Sequence, residues 1–184
     1  MKRVLLVAIC LLLQGSVAFA QEEGKHNFEI GGGINAFGIP GVCGGPSMDA
    51  GLGLYIEYRY NTKEWLALGL QTNFKHGKGR SAYTGGATWE FVDNQVGLKA
   101  VADVKMLPKR VVSPYIGIGL GQGVIFTKRE EKDSSTGTYG ILGPRIGLQI
   151  WKIRVFVEYD FATDGFFDFS NRESSLGLNI GYTF

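Results

Sequence analysis

From residue 27 onward the chain alternates apolar and polar positions with period two, the period of a β-strand rather than of a helix. Phe28, Ile30, Ile34 and Ala36 fall in one phase, and Glu29, Gly31, Gly33 and Asn35 in the other. The alternation predicts a first strand over 27–37 and further strands over 49–60, 65–75, 89–106, 115–126, 139–151, 154–161 and 175–184, eight in all. The last is the cleanest, with Leu176, Leu178, Ile180, Tyr182 and Phe184 set against Gly177, Asn179, Gly181 and Thr183.

The connections alternate as well. Asn61 to Glu64, Leu107 to Ser113 and the few residues around Lys152 are short, whereas 38–48, 76–88, 127–138 and 163–174 are long and polar or glycine-rich. The expected fold is all-β: an eight-stranded antiparallel up-and-down barrel with one plain rim and one elaborated rim. Both termini then lie on the short-turn side.

Period two does not say which face is inside, because a soluble lipocalin-like barrel alternates too, with its apolar set buried. The polar phase decides. It is mostly glycine with one or two charges per strand, whereas a wall facing water would be dense in Lys, Glu, Thr and Ser. Glycine, 28 of 184 residues, suits a narrow lumen in which small residues make room for larger polar ones. Aromatics also gather where the apolar columns end. Tyr58, Tyr60, Trp65, Trp151, Tyr182 and Phe184 sit near the short turns, and Phe37, Phe74, Trp89, Phe126 and Phe161 near the long loops. Two such belts are the girdles of a strand barrel in lipid, so the apolar phase is predicted to face a membrane and the polar phase the lumen.

Composition and the first residues set the compartment. Met1-Lys2-Arg3, the apolar run Val4 to Leu13 and Ala18-Phe19-Ala20 predict a secretory signal peptide over 1–20, cleaved after Ala20, with residues 21–184 as one barrel domain. Cleavage removes two of 19 basic residues and none of 17 acidic ones. The remaining chain is formally neutral, which gives no electrostatic case for nucleic acid. Cys43 is then the sole cysteine, which excludes an intramolecular disulfide. No metal-ligand spacing and no phosphate-cradling loop occur, so neither metal nor cofactor is expected.

The signal peptide, the eight strands and the terminal Ile180-Gly181-Tyr182-Thr183-Phe184 together resemble the small OmpA/OmpX-type outer-membrane barrels of Gram-negative bacteria, over the whole mature chain. The resemblance implies an outer-membrane location, periplasmic short turns and extracellular long loops. It also implies that the last strand, through Ile180, Tyr182 and Phe184, is the signal read by the barrel assembly machinery. Outer-membrane lipid and lipopolysaccharide are the expected surroundings of a monomer.

Candidate chemistry is sparse. Glu29, Glu57, Arg59, Lys99, Asp103, Arg145, Glu158 and Asp160 fall in the inward phase, where charges must pair to be tolerated. A structural plug is the expected outcome, with a narrow gated path as the alternative. Lys75, His76, Lys78 and Arg80 form a basic cluster at the outer end of the third strand, suited to lipopolysaccharide phosphates. Phe166, Phe167 and Phe169 are candidates for a binding patch in the last long loop.

Catalysis is not expected. His26 and His76 are predicted at opposite ends of the barrel, where they cannot share a site. The lipid A deacylase barrels carry a His-x-Ser-Asn stretch; Asp168-Phe169-Ser170-Asn171 has Asp for the His, and Asp160-Phe161-Ala162-Thr163 lacks the His, Ser and Asn. A structural role, or surface binding through the four long loops, is the reading that remains.

Overall fold

The computed structural model describes residues 25–37, 47–48, 50–82, 88–108, 110–129, 135–163 and 174–184. Nine strands occur among them: β1 (His26–Phe37), β2 (Ser47–Met48), β3 (Ala50–Lys63), β4 (Leu66–Ala82), β5 (Thr88–Lys105), β6 (Val112–Arg129), β7 (Ser135–Ile150), β8 (Ile153–Thr163) and β9 (Ser175–Thr183). The eight long ones form a ring. Each pairs antiparallel with the next, and β1 pairs with both β3 and β9, so no long strand is left with an open edge. The two-residue β2 lies outside this ring, on Gly79 and Arg80 of β4.

Pairing around the ring is staggered. Paired residues traced from Ile30 reach β7 at Ile150 by way of Tyr182 and Ile153. Traced the other way, through Ile56, Thr72, Leu98 and Gln122, they reach β7 at Gly140, ten residues away. A stagger of that size tilts the strands by roughly 40° to the barrel axis. Residues that face each other across the lumen are therefore far from neighbours in register.

The polarity is inverted relative to a water-soluble protein. Leu52 and Leu54 are 67% and 66% exposed on the outer wall, while Glu29, Glu57 and Lys99 inside are 0% exposed. Along β9 every second residue is buried and every other one exposed, with Leu176, Leu178, Ile180 and Tyr182 outward. A soluble lipocalin-like barrel would show the opposite. An apolar wall with a polar interior, and with every backbone donor and acceptor able to pair within a closed ring, is the arrangement in which strands cross lipid.

Short connections gather at one end. β3 and β4 are joined across Glu64 and Trp65, and β7 and β8 across Trp151 and Lys152. Trp151 takes a left-handed backbone conformation, φ 54°, which a two-residue hairpin requires and which a bulky residue adopts only at a cost. The other end differs from the sequence expectation. β4 and β5 remain paired from His76–Asn94 up to Ala82–Thr88, and β6 and β7 from Thr127–Ser135 downward. Much of the predicted loops 76–88 and 127–138 is therefore strand. Hydrophobic alternation stops where both faces of the sheet are wet, yet backbone pairing continues, so the sequence signal ends before the strand does.

Candidate functional site

Among the described residues eleven charged side chains are buried in the lumen, six acidic and five basic; ten of them meet in two layers, and Asp93 on β5 lies beyond these toward the far end. The first layer lies toward the short turns. Arg145, on β7, donates from both terminal nitrogens to Glu57 on β3, at 2.9 and 3.1 Å, and from Nε and Nη2 to Asp103 on β5, both at 2.7 Å. Arg154 on β8 reaches Glu29 and Glu57 at 3.2 Å each and Asp103 at 2.8 Å. Arg59 pairs with Glu29, and its Nε lies 3.1 Å from Glu57. Tyr55 donates to Glu29 at 2.5 Å, and Thr183 to the same carboxylate at 3.1 Å.

Aromatic rings seal this layer. The Arg154 guanidinium lies 4.2 Å from the centre of the Tyr115 ring and 5.4 Å from that of Phe156, whose edge meets Tyr55. The glycines opposite make that possible. A Cβ on Gly31 would lie 2.5 Å from the Tyr55 ring, and one on Gly147 would lie 2.6 Å from Phe156 and 2.8 Å from Tyr115. Each large inward side chain fills space that a neighbouring glycine leaves.

The second layer lies toward the far end and uses lysine. Lys99 on β5 sits 2.7 Å from Glu158 and 3.1 Å from Asp160, both on β8. Lys75 on β4 donates to Asp160 at 2.6 Å and to Ser175 on β9 at 2.8 Å. Beyond it Tyr139 donates to Gln95 at 3.3 Å.

All eight charged residues assigned to the lumen from the sequence lie in it, each buried. Three more belong there, one of them Asp93, in the inward phase of Gln95 and Lys99 on β5. Arg154 is buried and shares the phase of Phe156, Glu158 and Asp160, a signal visible in the sequence but not counted among the inward charges. Lys75 is the correction to the basic cluster. Its phase is that of Gln71 and Asn73, so it turns inward and its ammonium is engaged by Asp160, leaving it unable to meet a lipid phosphate outside. His76 and Lys78 do face outward, with His76 hydrogen-bonded to Asn94 at 2.9 Å. The side chain of Arg80, like those of Phe37 and Trp89, lies outside the described residues, as do Phe166, Phe167, Phe169, Cys43 and the stretch 168–171. The other girdle aromatics face outward, and so do Ile180 and Phe184.

His26 bonds to Tyr58 beside the short turns, at the opposite end from His76, so the two imidazoles do not meet. Among the described residues no three His, Cys, Asp or Glu side chains are grouped to hold a metal ion. The chemistry within reach is charge pairing across a lumen.

A closed ring of eight strands, apolar outside and ion-paired inside, defines a membrane-spanning barrel. The family model described as outer membrane protein beta-barrel domain matches residues 6–184, and the chain belongs to that family. Its fold is similar to that of Neisserial surface protein A, which is 14% identical with a TM-score of 0.57 over 86% of this chain and 97% of that one. It is also similar to Ail, the attachment invasion locus protein of Yersinia pestis, in complex with the heparin analogue sucrose octasulfate: 16% identity and TM-score 0.51, over 87% of this chain and 99% of that one. A third similar structure is the N-terminal β-barrel domain of Pseudomonas aeruginosa OprF, with 14% identity and TM-score 0.50, over 88% and 100%. At such identities the likeness is one of fold. No curated protein matches the chain.

Proposed function

We propose that this protein is an integral outer-membrane barrel with a plugged interior, whose role is structural or surface-binding through its long loops, without catalysis. The observation that carries the reading is the ion-paired lumen, where carboxylates and cations meet across the interior and tie facing walls together. An ion pair buried this way holds walls in place but leaves no charged lining for permeant ions. Signal cleavage after Ala20, with the short turns in the periplasm and the last strand read by the assembly machinery, completes the proposal.

The plug is tested by recording from the refolded protein in planar lipid bilayers. A flat trace under sustained voltage is expected, and discrete steps would replace the plug with a narrow pore. Sidedness is tested by labelling Cys43 in intact cells with a membrane-impermeant maleimide. Labelling is expected if the loop over 38–48 is extracellular, and protection of Cys43 until the cells are lysed would reverse the orientation. An intact mass beginning at Gln21 would establish the cleavage site.

A further inference from the structure

Strands β4, β5 and β6 run past the girdle residues Phe74 and Phe126, so a piece of paired sheet stands above the apolar wall. Its outward face carries a row of directly paired residues, Lys78 on β4, Val92 on β5 and Lys128 on β6. The next row toward the membrane is His76, Asn94 and Phe126. Both lysines are exposed, and neither has a hydrogen-bond or ion-pair partner among the described residues. The contrast with the rest of the barrel is sharp. Among the described strand side chains every carboxylate is buried in the lumen, and the charged ones that face outward are cations.

Two strand spacings separate the lysine backbones, about 10 Å, and two flexible stems rooted that far apart can converge on one tetrahedral anion between them. Val92 places no competing charge in the gap. Phe126 lies one row below Lys128, and girdle aromatics mark the level where hydrocarbon meets headgroups. Lys128 therefore stands at headgroup height, and Lys78, on the same tilted row four residues past Phe74, stands somewhat above it, both continuous with an apolar wall able to take acyl chains. A soluble polyanion has no use for that wall.

We infer that Lys78 and Lys128 clamp the phosphate of an outer-leaflet glycolipid, lipopolysaccharide in an outer membrane, with its acyl chains lying along the wall below. The inference rests on the proposal that the far end of the barrel faces the outer leaflet. It adds Lys128 to the expected lipid contact and takes Lys75 out of it.

The test measures binding of bis-phosphorylated lipid A, and of the same lipid with its phosphates removed, to the detergent-refolded barrel by native mass spectrometry. The proteins compared are the wild type, the double variant Lys78→Gln/Lys128→Gln, and Lys152→Gln at the short-turn end. The double variant is expected to bind the phosphorylated lipid about tenfold more weakly, with the dephosphorylated lipid bound alike by both and Lys152→Gln unchanged. Unheated and boiled electrophoresis of each variant verifies that the barrel is closed. Equal affinity of the double variant and the wild type would overturn the clamp, and so would an equal loss in Lys152→Gln, which would reduce the effect to net charge. Displacement of the lipid by inorganic phosphate or sucrose octasulfate at the lipid's own concentration would reassign the site to a soluble anion. The affinity ratio bears on the clamp alone and the Cys43 labelling on sidedness alone, so failure of one is distinguishable from failure of the other.

Discussion

The two charge layers of the lumen solve one problem with different chemistry. Each ties opposite walls of the ring, Glu57 on β3 to Arg145 on β7 in one and Lys75 on β4 to Asp160 on β8 in the other. In the arginine layer three guanidiniums share three carboxylates, and Arg145 alone makes four hydrogen bonds to two of them. The plane of the fork fixes where each carboxylate lies, and the rings of Tyr115 and Phe156 stack on or near it. In the lysine layer a single Nζ makes each contact at the end of a flexible stem, with Ser175 as an added acceptor. Arginine braces where several carboxylates must be satisfied from one fixed position. Lysine serves where one or two are met by a chain that can adjust.

That difference ranks the consequences of breaking each layer. Replacing Arg145 by Met removes four hydrogen bonds at once and leaves three buried carboxylates to two guanidiniums, Arg59 and Arg154, a loss of about 3–5 kcal/mol. The measurement is urea unfolding of the barrel in lipid vesicles, followed by the fast-migrating band of unheated samples. Replacing Lys99 by Met strands Glu158, while Asp160 keeps Lys75, so the expected loss is smaller, about 2–3 kcal/mol. A Lys99→Met loss equal to or greater than that of Arg145→Met would mean that the lysine layer carries the barrel and the arginine layer fills it.

The layers also show what the sequence reveals and what it leaves hidden. Phase alone places Glu29, Glu57, Asp103 and Arg145 inward, because period two is a local property that each strand carries for itself. Arg154 and Lys75 obey the same rule. Arg154 opens a strand, where the alternation is just beginning, and Lys75 sits beside His76 and Lys78, so that charge clustering along the chain outweighs phase. Partner choice across the lumen is not written in any strand. It depends on the ten-residue stagger, which sets the height at which β3 faces β7 and β4 faces β8. The outer row of Lys78, Val92 and Lys128 is hidden for a related reason. It needs register between three strands beyond the point where hydrophobic alternation ends.

The finest separation of the layers comes from exchanging their cations without changing charge. Arg145→Lys keeps a positive charge but replaces four hydrogen bonds from a fixed plane with those of one ammonium, which cannot reach Glu57 and Asp103 in the same two-pronged geometry. The expected loss is about 2 kcal/mol, with hydrogen bonds to charged groups at about 1.5–3 kcal/mol each and partial recovery through the new ammonium. Lys75→Arg should be milder, within about 1 kcal/mol, because a guanidinium can still reach Asp160 and Ser175. Both are read from the same unfolding curves, and only their difference matters. If the two exchanges cost the same, charge balance alone holds the lumen and fork geometry adds nothing. If Arg145→Lys is the costlier by a kilocalorie or more, arginine sits in the lower layer because three carboxylates there need a donor with a shape.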